Sequence, residues 1–381
     1  MSSTLISNIG QLLTNDPELG TLSHAALVIE NGSVSWVGSA QNAPQADTAI
    51  DAEGGSVIPG FVDSHTHAVF AGDRLPDFLA RMNGTKYASG GIKTTVSAVR
   101  SATDDELRNH LENAVVEFTQ HGITTFEIKS GYGLDVANET RAMRIAREFT
   151  EETTFLGAHV VPNEYSDNRR GYIDLVVGPM LESVAPFAKW VDVFCDQGAF
   201  TPDEAREILV AGKKKGLLGR LHGNQLGDTG GIELAVEMEL ASVDHCTHVT
   251  EQQLELLAES ATVATLLPGA EFSTRSPYPD ARRFFKSGVK VALATDFNPG
   301  SSYISSMPFV IAIAVRDMHF SPEEAVIAAT LGGAQALRRK DVGHLGLGAK
   351  GDLIILNAPS FEYLAYRPGT QLIKQVLVSN P

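Results

Sequence analysis

Cysteine is almost missing from this chain of 381 residues: Cys195 and Cys246 are the only two. That excludes a disulfide framework beyond one bridge and suits a reducing, cytoplasmic setting. Long apolar runs are missing too. Stretches such as Met307 to Val315 fall far short of the ~20 residues a membrane helix needs. The opening MSSTLISNIGQLL has no basic segment followed by an apolar core, so it does not read as a signal peptide. Positive charge is in deficit. Against 46 Asp and Glu stand 30 Lys and Arg, giving a net charge of −16. Such a surface repels phosphate backbones and anionic membranes, so neither nucleic acid nor membrane is an expected partner. A small anionic substrate remains possible, because a local cationic site overcomes a distant field. There is no solenoid repeat and no low-complexity linker.

What the sequence does contain is ordered β and α patterning. The length suits a barrel of ~250 residues plus a smaller module. AALVIENGSVSWVG alternates around Asn31-Gly32, a two-residue hairpin signal. DLIILN (352–357) and QLIKQVLV (371–378) also read as strands. Between these ends lie eight candidate strands: VIPGFVDSHTH, GITTFEIKS, TTFLGAH, WVDVFCD, LGRLHGN, LASVDHC, ATVATLLP and KVALATD. Helical segments separate most of them. Thr201-Pro202-Asp203-Glu204 and Ser321-Pro322-Glu323-Glu324 are capping boxes with proline at the first helical position. The pattern predicts an α/β fold, a (β/α)8 TIM barrel over 57–346, with a small discontinuous β-sandwich domain built from 1–56 and 347–381.

The polar residues fall at the strand ends: His65 and His67, then His159, Asp196, His222, His245 and Asp296. In a barrel those ends open on one face, which carries the active site. His65 and His67, two apart on a strand, point to the same side and can grip one metal ion. His222 and Asp296 would complete the shell, and three imidazoles with a carboxylate suit zinc or iron. A lone His-x-His or a single strand-end Asp carries little weight; the joint pattern carries the argument. Gly346-Leu347-Gly348-Ala349-Lys350-Gly351 matches a dinucleotide-binding expression but precedes a strand, so it reads as a turn. Lys213 to Lys215 reads as a solvated helix end.

Together these residues resemble the amidohydrolase superfamily: FVDSHTH, the strand-five His, the DH of strand six and the TD of strand eight. The longer motifs HTHAVFAGDR, EIKSGYGL, GAHVVP, LLPGAEF and TDFNPGS are similar to its histidine-degrading branch, over almost the whole chain. The resemblance implies hydrolysis of the cyclic amide of 4-imidazolone-5-propanoate to N-formimidoyl-L-glutamate, by attack of a metal-bound hydroxide on the ring carbonyl. It implies metal ligands at His65, His67, His222 and Asp296, with Asp296 also the base. Arg74 would bind the propionate carboxylate. Tyr87, Tyr132, His159, Gln225, Asn298, Gly300 and Ser301 would contact substrate. His245 and Gln225 would act in catalysis.

The residues agree with that reading. Arg74 offers a planar fork that suits a carboxylate. The amide of Gln225 does not titrate, which argues against deaminase chemistry and for recognition of a ring edge. Strand four ends in Cys195-Asp196 with no lysine, and Lys129 is on strand two, so one metal ion is expected. Barrels of this kind commonly pair, which makes a homodimer the expected assembly. Two alternatives stay open: another mononuclear amidohydrolase or deaminase acting on a small heterocycle, and a metal-binding scaffold without activity.

Overall fold

The computed structural model describes residues 3–85 and 91–379. The chain forms two compact units, Met1–Ser64 with Val116–Thr125 and Ser306–Pro381, and His65–Val115 with Phe126–Ser305.

The first unit holds a seven-stranded sheet. Its order is Ile373–Leu377, Leu353–Leu356, Ser56–Pro59, Ser3–Leu13, Thr21–Glu30 and Ser33–Ser39, with Thr48–Asp51 also paired to Ser3–Leu13. The expected hairpin is present, with Glu30 opposite Ser33. Asn31 and Gly32 both have positive φ, 50° and 80°, as the turn that matches strand twist requires. Ile6, Leu12, Leu27, Val57, Leu353 and Ile355 bury together as the core of this unit.

The candidate strand VIPGFVDSHTH is divided. Ser56–Pro59 joins the seven-stranded sheet, and only Phe61–Asp63 pairs with Ile123–Phe126. Gly60 makes the break, since its amide donates to Asp352 O at 2.9 Å. A Cβ at Gly60 would stand 2.2 Å from Thr124 Oγ1, so no larger residue fits that crossing.

We label the barrel strands β1 (Phe61–Asp63), β2 (Ile123–Phe126 and Ile128–Lys129), β3 (Thr153–Ala158), β4 (Trp190–Cys195), β5 (Leu218–Gly219 and Leu221–Gly223), β6 (Ser242–His245), β7 (Val263–Leu266) and β8 (Val291–Leu293). In the second unit they pair in the order β8-β7-β6-β5-β4-β3-β2, all parallel. The segment after β1 closes the ring within that unit. Lys129 N donates to Thr66 O, Asp296 N to His65 O and His67 N to Phe297 O, at 2.9, 3.1 and 2.9 Å. Both predicted capping boxes are formed, at Thr201/Glu204 and Ser321/Glu324. The architecture is α/β, a (β/α)8 barrel with a small discontinuous β-sandwich. Among the described residues no helix is long and apolar enough to cross a membrane.

Candidate metal centre

His65 and His67 leave the end of β1 with Thr66 between them facing the other way. Thr66 is pinned to Glu127, its amide donating to Oε2 at 3.0 Å and its hydroxyl to the backbone carbonyl at 2.6 Å. That fixes the two imidazoles on the inner side. His67 Nε2 lies 3.2 Å from His65 Nε2 and 3.3 Å from His222 Nε2. Asp296 Oδ1 stands 3.5 Å from Nε2 of both His65 and His67.

The other ring nitrogens decide what this convergence means. His65 Nδ1 faces Asp244 Oδ2 at 2.7 Å, and His222 Nδ1 faces Asp192 Oδ1 at 3.1 Å. A carboxylate accepts, so each Nδ1 carries the proton and each Nε2 offers a lone pair. Burial pushes His65 and His67 well below the ordinary imidazole range, with further lowering from Lys129 at His65 and from His65 at His67. Neutral lone pairs converging in a buried space need a cation between them, so His65, His67 and His222 can hold a metal ion. Burial raises the Asp296 carboxyl well above its usual range, against hydrogen bonds from Asn298 and Ser301. A metal cation beside it would restore its ionised form.

Beneath the imidazoles lies a layer of charge. Glu127, Lys129, Asp192, Arg220 and Asp244 are all fully buried. Lys129 Nζ sits 3.0 Å from Glu127 Oε1, 2.8 Å from Asp192 Oδ2 and 4.0 Å from Asp244 Oδ2. Arg220 Nη2 is 3.3 Å from Asp244 Oδ2. Against burial, which would raise them, His222 and Lys129 hold Asp192 low, and Arg220 and Lys129 hold Asp244 low. Both carboxylates that orient the imidazoles are thus kept ionised.

The pocket above is lined by His67, Arg74, Tyr132, His159, His222, Gln225, His245, Asp296, Asn298, Gly300 and Ser301, with Ile92, Val160 and Phe194 as its apolar wall. His159 stacks on His67 with centroids 5.2 Å apart, and its Nδ1 is 3.0 Å from Gly131 O. Burial pushes His159 down to about 3. It is therefore neutral, Nδ1 donates to that carbonyl, and Nε2 is left as an acceptor. Asp196 shapes the loop of Gln225, accepting from the amides of Gln225 and Leu226 at 2.6 and 3.0 Å. His245 lies against His222 and His65, with centroids 5.4 and 5.8 Å away. Asn298 ties its own turn, its Oδ1 accepting from the amides of Gly300 and Ser301 at 2.8 and 2.7 Å. Ser301 Oγ reaches Asp296 Oδ2 at 3.3 Å. Arg74 Nε donates to Asp77 Oδ2 at 2.6 Å, while Nη1 lies over the Cα of Gly300.

Several of these groups sit on left-handed backbone: Asn224, His245, Cys246 and Asp296 have φ of 56°, 82°, 51° and 53°. Such conformations persist in non-glycine residues only when the surroundings enforce them, and they cluster at functional sites.

Every site residue expected from the sequence is brought to this one place except Tyr87, which lies outside the described residues. The charged layer was not foreseen, although each member interrupts an apolar strand run, as Asp192 does in WVDVFC. Arg81 was also missed. It is buried in the helix Leu75–Met82 and carries no motif that sets it apart from a surface arginine.

The fold and this arrangement define a metal-dependent hydrolase. The chain belongs to the amidohydrolase family, whose model matches residues 56–373. An imidazolonepropionase of Salinispora arenicola is 61% identical over 383 residues, covering 99% of this chain and 98% of that protein. One of Mycolicibacterium smegmatis is 56% identical over 382 residues, covering 99% and 96%. Among solved structures, an atrazine chlorohydrolase from Arthrobacter aurescens complexed with zinc shares the fold, with a TM-score of 0.75, 14% identity and coverage of 99% and 94%.

Proposed function

We propose that this chain hydrolyses the ring of 4-imidazolone-5-propanoate to N-formimidoyl-L-glutamate, the histidine-degrading reaction of its relatives. The observation that carries this reading is one pocket lined both by His67 and His222 of the three-imidazole group and by Arg74. His65, His67, His222 and Asp296 would hold one zinc or iron ion. Bound there, the ion supplies Lewis acidity and a water acidic enough to act as nucleophile at neutral pH. Asp296 takes the proton from the attacking water and passes it to the ring nitrogen that leaves. His245, kept neutral by burial, donates to the oxygen that gains charge. Nη1 and Nη2 of Arg74 receive the propionate carboxylate as a fork. His159 Nε2 accepts from a ring N–H, and the Gln225 amide reads the N–C=O edge. Tyr132, Asn298, Gly300, Ser301 and Tyr87 complete the contacts to substrate.

The same proposal includes a cytoplasmic homodimer whose barrel spans 57–346, with 1–56 and 347–381 as the composite domain. Support for the compartment comes from two cysteines that are both free and buried. The test is loss of imidazolonepropionate absorbance with purified protein, together with metal analysis. Faster turnover of hydantoins, dihydropyrimidines or aminated rings would overturn the substrate assignment.

A further inference from the structure

The helix Leu75–Met82 carries an arginine at each end, Arg74 as its N-cap and Arg81 in its last turn. Seven residues are almost two turns, so both side chains leave the same face, about 10 Å apart along the axis. Both reach Gly300. Arg81 Nη2 donates to Gly300 O at 2.8 Å in a buried contact. Arg74 covers the other side, where a Cβ on Gly300 would stand 2.5 Å from Nη1. The Gly300 amide is already committed to Asn298 Oδ1 at 2.8 Å.

Each polar backbone group of Gly300 therefore has a fixed partner. Without Arg81 the carbonyl of Gly300, the residue that Arg74 Nη1 covers, loses its donor, and a buried carbonyl does not stay unpaired. It would turn toward the guanidinium and occupy the donors that an anion needs.

We infer that Arg81 is a positioning residue for the anionic end of the substrate, holding the Gly300 carbonyl so that the terminal nitrogens of Arg74 stay open to a carboxylate. This rests on the proposed reading of Arg74 as the carboxylate group. Arg81 is not among the residues that line the pocket, so its effect falls on recognition of the anion through Gly300 and Arg74.

The experiment compares metal-loaded wild type, Arg81→Met and Arg81→Lys by calorimetry with imidazole-4-propionate and its neutral propionamide. Neither ring has the amide that would be hydrolysed. In wild type the anion binds more tightly than the amide. In R81M that preference falls about tenfold or more, the difference a charge-assisted hydrogen bond makes, while amide affinity and metal content stay within about twofold. R81K, which restores one donor, recovers part of the preference. In an Arg74→Ala background R81M changes nothing further. If wild type shows no preference for the anion, the carboxylate reading itself fails. If wild type shows it and R81M or R81K retains it in full, Arg81 has no such role. Equal loss for anion and amide overturns the inference as well. Should R81M fail to accumulate, R81K decides by the same ratio.

Discussion

His65 Nδ1 lies 2.7 Å from Asp244 Oδ2, and this contact decides which nitrogen of His65 faces the metal position. Asp244 is in turn held by Arg220 Nη2 at 3.3 Å. Asp244→Ala removes the acceptor, frees the ring to change tautomer and rotate, and strands Arg220 in the core. Metal affinity should fall about 10- to 100-fold, measured by competition with a chelator. Unchanged affinity would show that His65 is oriented by other contacts.

Asp296→Asn keeps the shape of the side chain and suits the left-handed backbone at this position, since asparagine tolerates it. The melting temperature should stay close to that of wild type. Turnover should drop about 10²- to 10⁴-fold, the range associated with a lost general base. Retained turnover would remove Asp296 from that role.

Arg74→Ala acts on recognition. The loss of a charge-assisted fork should raise KM about 10- to 100-fold. Metal content should remain near one per chain; loss of metal would mean that Arg74 supports the imidazole group instead.

Gly300→Ala tests the same wall from the other side. Its Cβ would meet the far end of the Arg74 side chain at 2.5 Å, which can swing away. Stability should change by less than about 1 kcal/mol, while KM rises as in the arginine variant. A large fall in stability with unchanged KM would contradict this geometry.

Glu271 gives a pH signature. It is buried, accepts from Thr247 Oγ1 at 2.6 Å, and is pushed by burial up to about 7 from an ordinary 4.5. The folded state therefore binds more protons than the unfolded state between those values. Its burial is harmless below pH 4.5, weakens the fold progressively as pH rises toward 7, and weakens it fully above 7. Glu271→Gln should stabilise the chelated protein by roughly 2 kcal/mol at pH 8 and scarcely at pH 4.5. Equal gains at both pH values in denaturant titrations would rule out titration as the cause.

The strand-end residues were legible because a barrel turns a sequence position into a place. His65, His222 and Asp296 had only to end strands to meet. The bounds of the strands were less legible. Ser3–Leu13 was not read as a strand because a bulge falls between Ile6 and Ile9, which puts these two buried residues three apart instead of two and breaks the alternation. VIPGFVDSHTH read as one strand because nothing local reveals that Gly60 crosses Thr124. Arg81 stayed hidden for a similar reason: its importance comes from Gly300, more than two hundred residues later.

The left-handed backbone at His245 and Asp296 bears on how this enzyme can adapt to heat. Glycine at either position would relieve an unfavourable conformation, and it would delete a group that the proposed reaction uses. Selection for thermal tolerance therefore has no free path through these two sites. The gains open to it lie at places such as Asn8 and Glu53, where the same backbone sign occurs at exposed residues outside the candidate site. In descendants from warmer habitats, glycine should accumulate at those positions while the strand ends of the barrel stay as they are.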